Sequence, residues 1–400
     1  MHEDPGAGLR SLAEVFGAFL RLGLVSFGGP VAHLGYFRKE FVERRRWLDD
    51  AAFADTVALC QFLPGPASSQ VAFCLGMRRA GVAGALLASI GFLAPSAIAM
   101  ILFGYAVAST GRLLQAGWLH GLKLAAVAVV AQAVWAMGVK LCPDWPRRGL
   151  AVAAAALVLV LPGTLSQVGA IAACALLGWL LTHGGPAPRE PAPGLGRSHA
   201  WAAAALGVFG LLLVLLPIAA RAGGDRHVAI FDSFYRAGSL VFGGGHVVLP
   251  LLRSEVVPRG WISDDAFLAG YGAAQAIPGP LFSFAGYLGT VIESGPHAWM
   301  GGLLALVAIF LPAWLLAGGA YPFWSMLRGR AWAQAALTGA NAAVVGILLA
   351  ALYRPVCTGS IRDARDVAAA AAAILLLGKL RAPPWAVVAL MAGAGEWVLR

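Results

Sequence analysis

The chain has 400 residues, of which 60% are hydrophobic and only 12% charged, with a formal net charge of +10. A water-soluble domain cannot cover that much apolar side chain with polar surface, so composition excludes one and points to a membrane protein. In such a chain the positive excess reads as arginine- and lysine-rich cytoplasmic loops; nucleic-acid binding is excluded, since no basic stripe with interleaved aromatics is present.

The opening residues, Met1-His2-Glu3-Asp4-Pro5, are acidic and lack the basic, apolar, small-residue order of a cleaved signal peptide. Arg21 then stands alone in an apolar stretch, followed by Phe27-Gly28-Gly29-Pro30. Glycines followed by proline suit a chain break and a fresh helix start, where freed amides and the helix dipole favour an anion. A basic run follows, Arg38-Lys39-Glu40 through Arg44-Arg45-Arg46, and then Trp47 to Phe53. Gln61-Phe62-Leu63-Pro64-Gly65-Pro66 and Ser68-Ser69 come next, before a second basic pair, Arg78-Arg79. A straight helix between the two basic clusters would put one of them outside the cell. Two short helices meeting at Pro64-Gly65-Pro66 would keep both in the cytoplasm as a re-entrant hairpin; the alternative is a single Pro-kinked helix.

Apolar stretches of membrane-spanning length recur at 80–108, 124–141, 150–181, 201–220 and 331–352. They are rich in Ala and Leu and lack the period-two alternation of outer-membrane barrels, so they read as helices. Between 183 and 199 the chain is rich in Pro and Gly without apolar periodicity, a linker separating residues 1–182 from 200–400.

The second part repeats the first. Arg236-Ala237-Gly238, Phe242-Gly243-Gly244-Gly245, Trp261 to Phe267 and Gln275-Ala276-Ile277-Pro278-Gly279-Pro280 follow the first set by about 215 residues. Arg to Phe is six residues in both copies, Trp to Gln is fourteen, and one residue slips between Phe and Trp. Later, Gly121-Leu122-Lys123 matches Gly339-Ala340-Asn341. The basic clusters of the first copy are replaced in the second by Arg253, Glu255, Arg259, Asp264 and Asp265, so the copies are expected to be inverted in the bilayer. The expected fold is an all-α polytopic membrane protein of two inverted repeats with Gly/Pro-broken or re-entrant helices, roughly ten to twelve membrane segments. Duplicated halves broken at matching places point to a transporter with its site between them.

The candidate binding residues are those duplicated at the breaks. Arg21 and Arg236 are membrane-embedded charges kept at one repeat position; each is otherwise an interfacial arginine that reaches the headgroups. The glycines either bind a ligand or permit close helix packing. Ser68 adds a hydroxyl, with Ser283 after the second tip. Lys123 is either a further cation with Asn341 as its uncharged counterpart, or a loop-end lysine. His33 and His246 follow the breaks without aligning and read as packing or hydrogen-bonding histidines. No duplicated carboxylates are expected in the apolar segments, so the site is expected to offer cations and amide donors only, which suits an anion. No His-Glu-x-x-His, nucleophile triad or P-loop argues for an enzyme or an ATP-driven pump. The five cysteines, Cys60, Cys74, Cys142, Cys174 and Cys357, are scattered, and neither a metal site nor a cofactor is expected.

At Phe27-Gly28-Gly29-Pro30-Val31-Ala32-His33, Gln61–Pro66, Phe242–His246 and Gln275–Pro280 the chain resembles the chromate ion transporter family. Its long-form members carry two homologous membrane domains, each with a Phe-Gly-Gly and a Gln-x-x-Pro-Gly-Pro motif. The resemblance implies a bacterial inner-membrane protein that exports chromate and confers resistance, with sulfate as an analogue or competitor and the proton motive force as energy source. Duplication and motif together make the expected substrate contacts Arg21, Phe27, Gly28, Gly29, Gln61, Pro64, Gly65, Pro66, Ser68 and Lys123 in one repeat. In the other these are Arg236, Phe242, Gly243, Gly244, Gln275, Pro278, Gly279, Pro280 and Asn341. Residue chemistry by itself supports a small inorganic oxyanion and does not separate chromate from sulfate. A transporter of another anion and a passive anion channel remain the alternatives. The remaining expected partners are the lipid bilayer and a second copy in a homodimer.

Overall fold

The computed structural model describes residues 5–109, 117–161, 163–181, 199–242, 247–324 and 330–397. Among them the chain is all-helical, without a strand. The first repeat runs α1 (Pro5–Val25), α2 (Gly29–Phe37), α3 (Asp50–Phe62), α4 (Ala67–Ser109), α5 (Gly117–Leu141), α6 (Trp145–Val160) and α7 (Thr164–Leu181). After α8 (His199–Gly223) the order returns as α9 (Arg226–Leu240), α10 (Val248–Val256), α11 (Asp264–Ala274), α12 (Phe284–Glu293) and α13 (Ala298–Ala320). The chain closes with α14 (Ala331–Ala351), α15 (Ala364–Gly378) and α16 (Pro384–Trp397). The expected linker lies outside the described residues, apart from its last residue at the start of α8.

The helix signals are local and shared. Asp49 caps α3 by accepting from the Ala52 amide, and Ser263 caps α11 by accepting from the Ala266 amide, at matching repeat positions. α4 is not one straight helix. Ala80 and Gly81 leave helical geometry (φ −145° and 67°), and the arms 67–79 and 82–109 fold back on each other, with Gly76 against the Gly84 carbonyl. The second repeat makes the same turn between α12 and α13, at Ser294 and Gly295 (φ 48° and 90°), with Gly289 against the Gly301 carbonyl.

The first hairpin is re-entrant, as one of the two sequence readings has it. Its basic clusters share one end of the molecule: Glu14 accepts from Arg45 Nη1 and Arg79 Nη2, both at 2.9 Å, and Arg79 lies over the Trp47 ring at 5.5 Å. Both arms therefore start from one face and meet at Pro64-Gly65-Pro66. At 1.5 Å per residue, arms of about 13 residues carry that tip about 20 Å from the base, well into a hydrocarbon core of about 30 Å.

The repeats are inverted, and two hydrogen bonds fix this. Arm 82–109 starts beside the base of the first hairpin. Its Tyr105 hydroxyl, about 35 Å along the helix, donates to the Pro296 carbonyl at the base of the second, 2.8 Å away. Conversely, α13 starts at that second base and ends where Arg78 Nη1, at the first base, donates to the Tyr321 hydroxyl at 2.7 Å. The two bases thus sit at opposite ends of helices long enough to cross a bilayer. Five stretches are long and apolar enough to span a membrane: Ala67–Ala108, Gly117–Leu141, Ala200–Gly223, Ala298–Phe323 and Ala331–Ser360. Leu165–Leu180 and Leu281–Glu293 are shorter apolar helices. The first of the five contains the arm turn at Ala80 and Gly81, so its crossing portion is 82–109.

The closing helices are exchanged: α6 and α7 pack on α14, and α15 and α16 pack on α5. The duplicated Gly121 and Gly339 permit this, because a Cβ on Gly121 would strike the Met391 carbonyl and one on Gly339 the Cys174 carbonyl.

Candidate functional site: crossed tips at the repeat interface

The first glycine break, the chain just after α9 and both Pro-Gly-Pro tips come together in the middle of the molecule. α1 ends just before Gly28 and Gly29, whose φ of 99° and 75° turn the chain; Gly28 caps α2, and Pro30 lies in its first turn. The Gly65 amide donates to the Val241 carbonyl at 2.6 Å, and the Gly279 amide donates to the Ser26 carbonyl at 2.9 Å. Ser26 and Val241 occupy the same repeat position, immediately before Phe27 and Phe242. Each Pro-Gly-Pro tip is therefore docked on the break of the opposite repeat. Gly65 and Gly279 have φ of 119° and 103°, a region that side-chain-bearing residues avoid. A Cβ on Gly279 would lie 2.9 Å from Ser96 Oγ, and one on Gly65 would lie 3.1 Å from Ala313 Cβ. Ser96 and Ala313 each follow a proline, Pro95 and Pro312, midway along the crossing helices.

Polar groups converge there. His33 Nε2 donates to the Ser26 carbonyl, which fixes the neutral tautomer and leaves Nδ1 to accept from the Ser68 hydroxyl, both at 3.2 Å. Gln70 Nε2 donates to the Pro64 carbonyl at 2.8 Å. Ser26 Oγ, Ser69 Oγ and Gln70 Oε1 are buried without a hydrogen-bond partner among the described residues. Buried polar groups are costly to leave unmade, and the two hydroxyls can donate to a ligand whereas Gln70 Oε1 can only accept from one. Pro66, Ser68 and Pro280 are buried. Phe27, Pro64, Phe242, Gln275, Pro278 and Asn341 are half-buried, whereas Gln61 faces outward. Gly243, Gly244, Gly245 and His246 lie outside the described residues.

The three candidate cations have different surroundings. Arg21 is exposed and makes no hydrogen bond or ion pair among the described residues. Arg236 is gripped on two sides, with Nη2 2.9 Å from Asp232 Oδ2 and 2.8 Å from Glu255 Oε2. Lys123 is buried in α5 rather than at a loop end, and its Nζ lies 2.8 Å from Asp265 Oδ1 at the start of α11. The expectation of cations and amide donors alone is thus corrected, because two of the three cations carry carboxylates. Glu255 and Asp265 entered the sequence reading only as markers of orientation, because Asp232, Glu255 and Asp265 are spread over α9, the end of α10 and the start of α11 and meet the cations only in the fold.

Two duplicated carboxylates are legible in the sequence, both outside the apolar segments. Glu40 and Glu255 sit at the same repeat position, as do Arg38 and Arg253, Arg44 and Arg259, and Asp50 and Asp264. Arg38 Nε meets Asp50 Oδ1, and Arg253 Nε meets Asp264 Oδ1, each at 2.7 Å. Glu40 lies 3.1 Å from Arg44 and 2.6 Å from Arg45, while Glu255 lies 3.4 Å from Arg259. Burial pushes the Glu40 carboxyl up, but its bonds to Arg45 and Arg44 outweigh that and hold it below the usual carboxylate value. Beside Arg236, a cavity of about 710 Å³ opens between the start of α7, the end of α8, α9 and α10.

An inverted pair of helical repeats with broken helices crossing at mid-depth defines a membrane transporter of the inverted-repeat class. The Chromate transporter family model matches this chain twice, over residues 13–179 and 228–396, and the chain belongs to that family. It is 31% identical over 347 residues to the Chromate transport protein of Pseudomonas aeruginosa, covering 84% of this chain and 79% of that one. It is 29% identical over 362 residues to the Chromate transport protein of Cupriavidus metallidurans, covering 88% of this chain and 84% of the relative. A Probable chromate transport protein of Synechococcus elongatus is 28% identical over 325 residues, covering 79% of this chain and 76% of its own. No solved structure matches the chain.

Proposed function

We propose that this protein is a secondary active transporter that exports chromate across the bacterial inner membrane and so confers chromate resistance. The reciprocal docking of Gly65 on Val241 and Gly279 on Ser26 carries the reading, because it makes one site from both repeats at the depth where alternating access needs it. Residues 1–182 and 200–400 act as the two repeat domains. The oxyanion is held by the breaks and tips: Phe27-Gly28-Gly29, Pro64-Gly65-Pro66 and Ser68 in one repeat, and Phe242-Gly243-Gly244, Gln275 and Pro278-Gly279-Pro280 in the other. Arg21 and Arg236 supply attraction about 7.5 Å before each break, five helical residues away, and Lys123 and Asn341 flank the path. Arg38, Lys39, Arg44, Arg45, Arg46, Arg78 and Arg79 gather at the first hairpin and orient that end toward the cytoplasm.

The driving force follows from charge. Moving a dianion out of a cell that is negative inside is downhill by about 4.6 kcal/mol per 100 mV, so the electrical part of the proton motive force favours export. Everted vesicles test the reading: chromate uptake is expected to need the membrane potential, to fall with an uncoupler and to be competed by sulfate. Uptake that follows the membrane potential alone, with no response to a pH gradient imposed at fixed potential, would indicate a channel instead. For a homodimer, the face to consider is the exposed stripe of α1 at Ala13, Gly17 and Leu24, since α8 covers the neighbouring α9 in the second repeat. Cross-linking through Gly17→Cys is expected to trap dimers, and failure with efficient labelling rejects that face.

A further inference from the structure

The cavity beside Arg236 sits at the end of the molecule that carries the second hairpin's base, and five charged side chains line it. Arg221 comes from α8, Asp232 and Arg236 from α9, and Glu255 and Arg259 from α10 and the turn after it. Asp232 and Glu255 are buried, at 2% and 3% exposure. Arg236 Nε lies 3.1 and 3.2 Å from the Asp232 oxygens, and its Nη2 bridges Asp232 and Glu255. An oxyanion approaching that guanidinium meets two carboxylates already in the place it would take.

This arrangement is specific to the second repeat. Gly17 stands where the repeat alignment puts Asp232, so nothing on α1 can pair with Arg21 as Asp232 pairs with Arg236. Arg45 is the extra residue of the first repeat, since Arg46 and Gly260 both precede the matched tryptophan with positive φ, and it holds Glu40 at 2.6 Å. One repeat therefore presents a bare arginine and the other an arginine already occupied from within.

We propose that Asp232 and Glu255 act as an internal counter-anion, occupying Arg236 in the empty protein and displaced by an oxyanion that enters the cavity, so that oxyanion binding there carries proton uptake. A carboxylate deprived of its cation partner in a buried setting favours its neutral form, which links the two events. Arg221, Arg236 and Arg259 keep their charge throughout. Nearby, Arg253 stays with Asp264 at 2.7 Å, and His227 at the start of α9 is shared with Asp225 and Glu293. Among the described residues lining the cavity, Asp232 and Glu255 are thus the groups able to take a proton. The proposal rests on the oxyanion-transport reading; a proton taken up with the oxyanion would travel with it, so each proton bound removes one of the two charges on which the membrane potential acts during export.

The test uses the full chain, purified, in an Arg21→Gln background that silences the first repeat's arginine. Sulfate is titrated by calorimetry in two buffers of different ionisation heat, which counts protons taken up per sulfate bound. Uptake is expected, together with binding that weakens as pH rises. Asp232→Asn/Glu255→Gln is expected to abolish the uptake and to bind sulfate roughly tenfold tighter, since the oxyanion no longer displaces charged hydrogen bonds. Glu255→Asp, which keeps the carboxylate, is expected to retain the uptake. Binding without proton uptake overturns the proposal even if the double variant does not fold. So does a double variant with unchanged affinity and pH dependence, or no sulfate binding by an Arg21→Gln protein whose parent transports oxyanion. A parent that moves no oxyanion at all overturns the transport reading instead.

Discussion

Alanine at Gly279 is the sharpest probe of the crossed tips. The residue sits at φ 103°, and its amide donates across the repeats to the Ser26 carbonyl at 2.9 Å. A methyl there would lie 2.9 Å from Ser96 Oγ and 3.2 Å from Ser96 Cβ. The forced φ costs about 1–3 kcal/mol and a weakened backbone hydrogen bond about 0.5–1.5. Together these disfavour the docked tip by about 1.5–4.5 kcal/mol, which reduces its population by roughly 10- to 2000-fold. Chromate uptake by everted vesicles, normalised to the amount of protein in the membrane, is therefore expected to fall by at least about tenfold. Gly65→Ala is expected to behave alike, because its φ of 119° and its bond to Val241 repeat the geometry. Adding Ser96→Ala to Gly279→Ala relieves the clash but not the φ, so recovery is expected to be partial. Gly35→Ala, with nothing within 4 Å and ordinary φ, is the control. Parent rates for both tip variants at normal expression would refute the idea that docked tips form the transport site.

Other consequences follow from the charges. Cysteines replacing Arg44 and Arg259 are expected to label from opposite faces of the membrane; labelling from one face would contradict the inverted arrangement. Arg21→Gln is expected to lose export at normal yield, with Arg21→Lys retaining part, since lysine lacks the planar fork that matches two oxyanion oxygens. Arg236→Gln is expected to lower yield as well, because it strands two buried carboxylates at a cost of about 3–5 kcal/mol; equal yields for the two glutamine variants would count against the contrast. Glu40 has a lowered folded-state value, so its contribution is present above the unfolded carboxylate value and is lost as pH falls through the folded one. Glu40→Gln is therefore expected to lower thermal stability at neutral pH and to flatten its decline in acid, read by melting the purified protein across pH; an unchanged profile would remove Glu40 from the account.

Much of this protein is written along the chain. Duplication, membrane class and the two tips follow from repeated short strings, because glycine and proline act on their own backbone and apolar length acts through the bilayer. Inversion was legible as well, since the basic clusters of the first hairpin have no equal in the second. The tertiary structure alone decided what those strings touch. Gly65 bonds Val241 and Gly279 bonds Ser26, Lys123 reaches Asp265 across 142 residues, and Arg236 is divided between a neighbour on its own helix turn and Glu255. Repeat spacing made Arg21 and Arg236 look equivalent, yet one is bare and the other doubly paired. The difference comes from single residues off the motif, Gly17 against Asp232 and the extra Arg45 of the first repeat, whose effect exists only once the fold brings the carboxylates and arginines together.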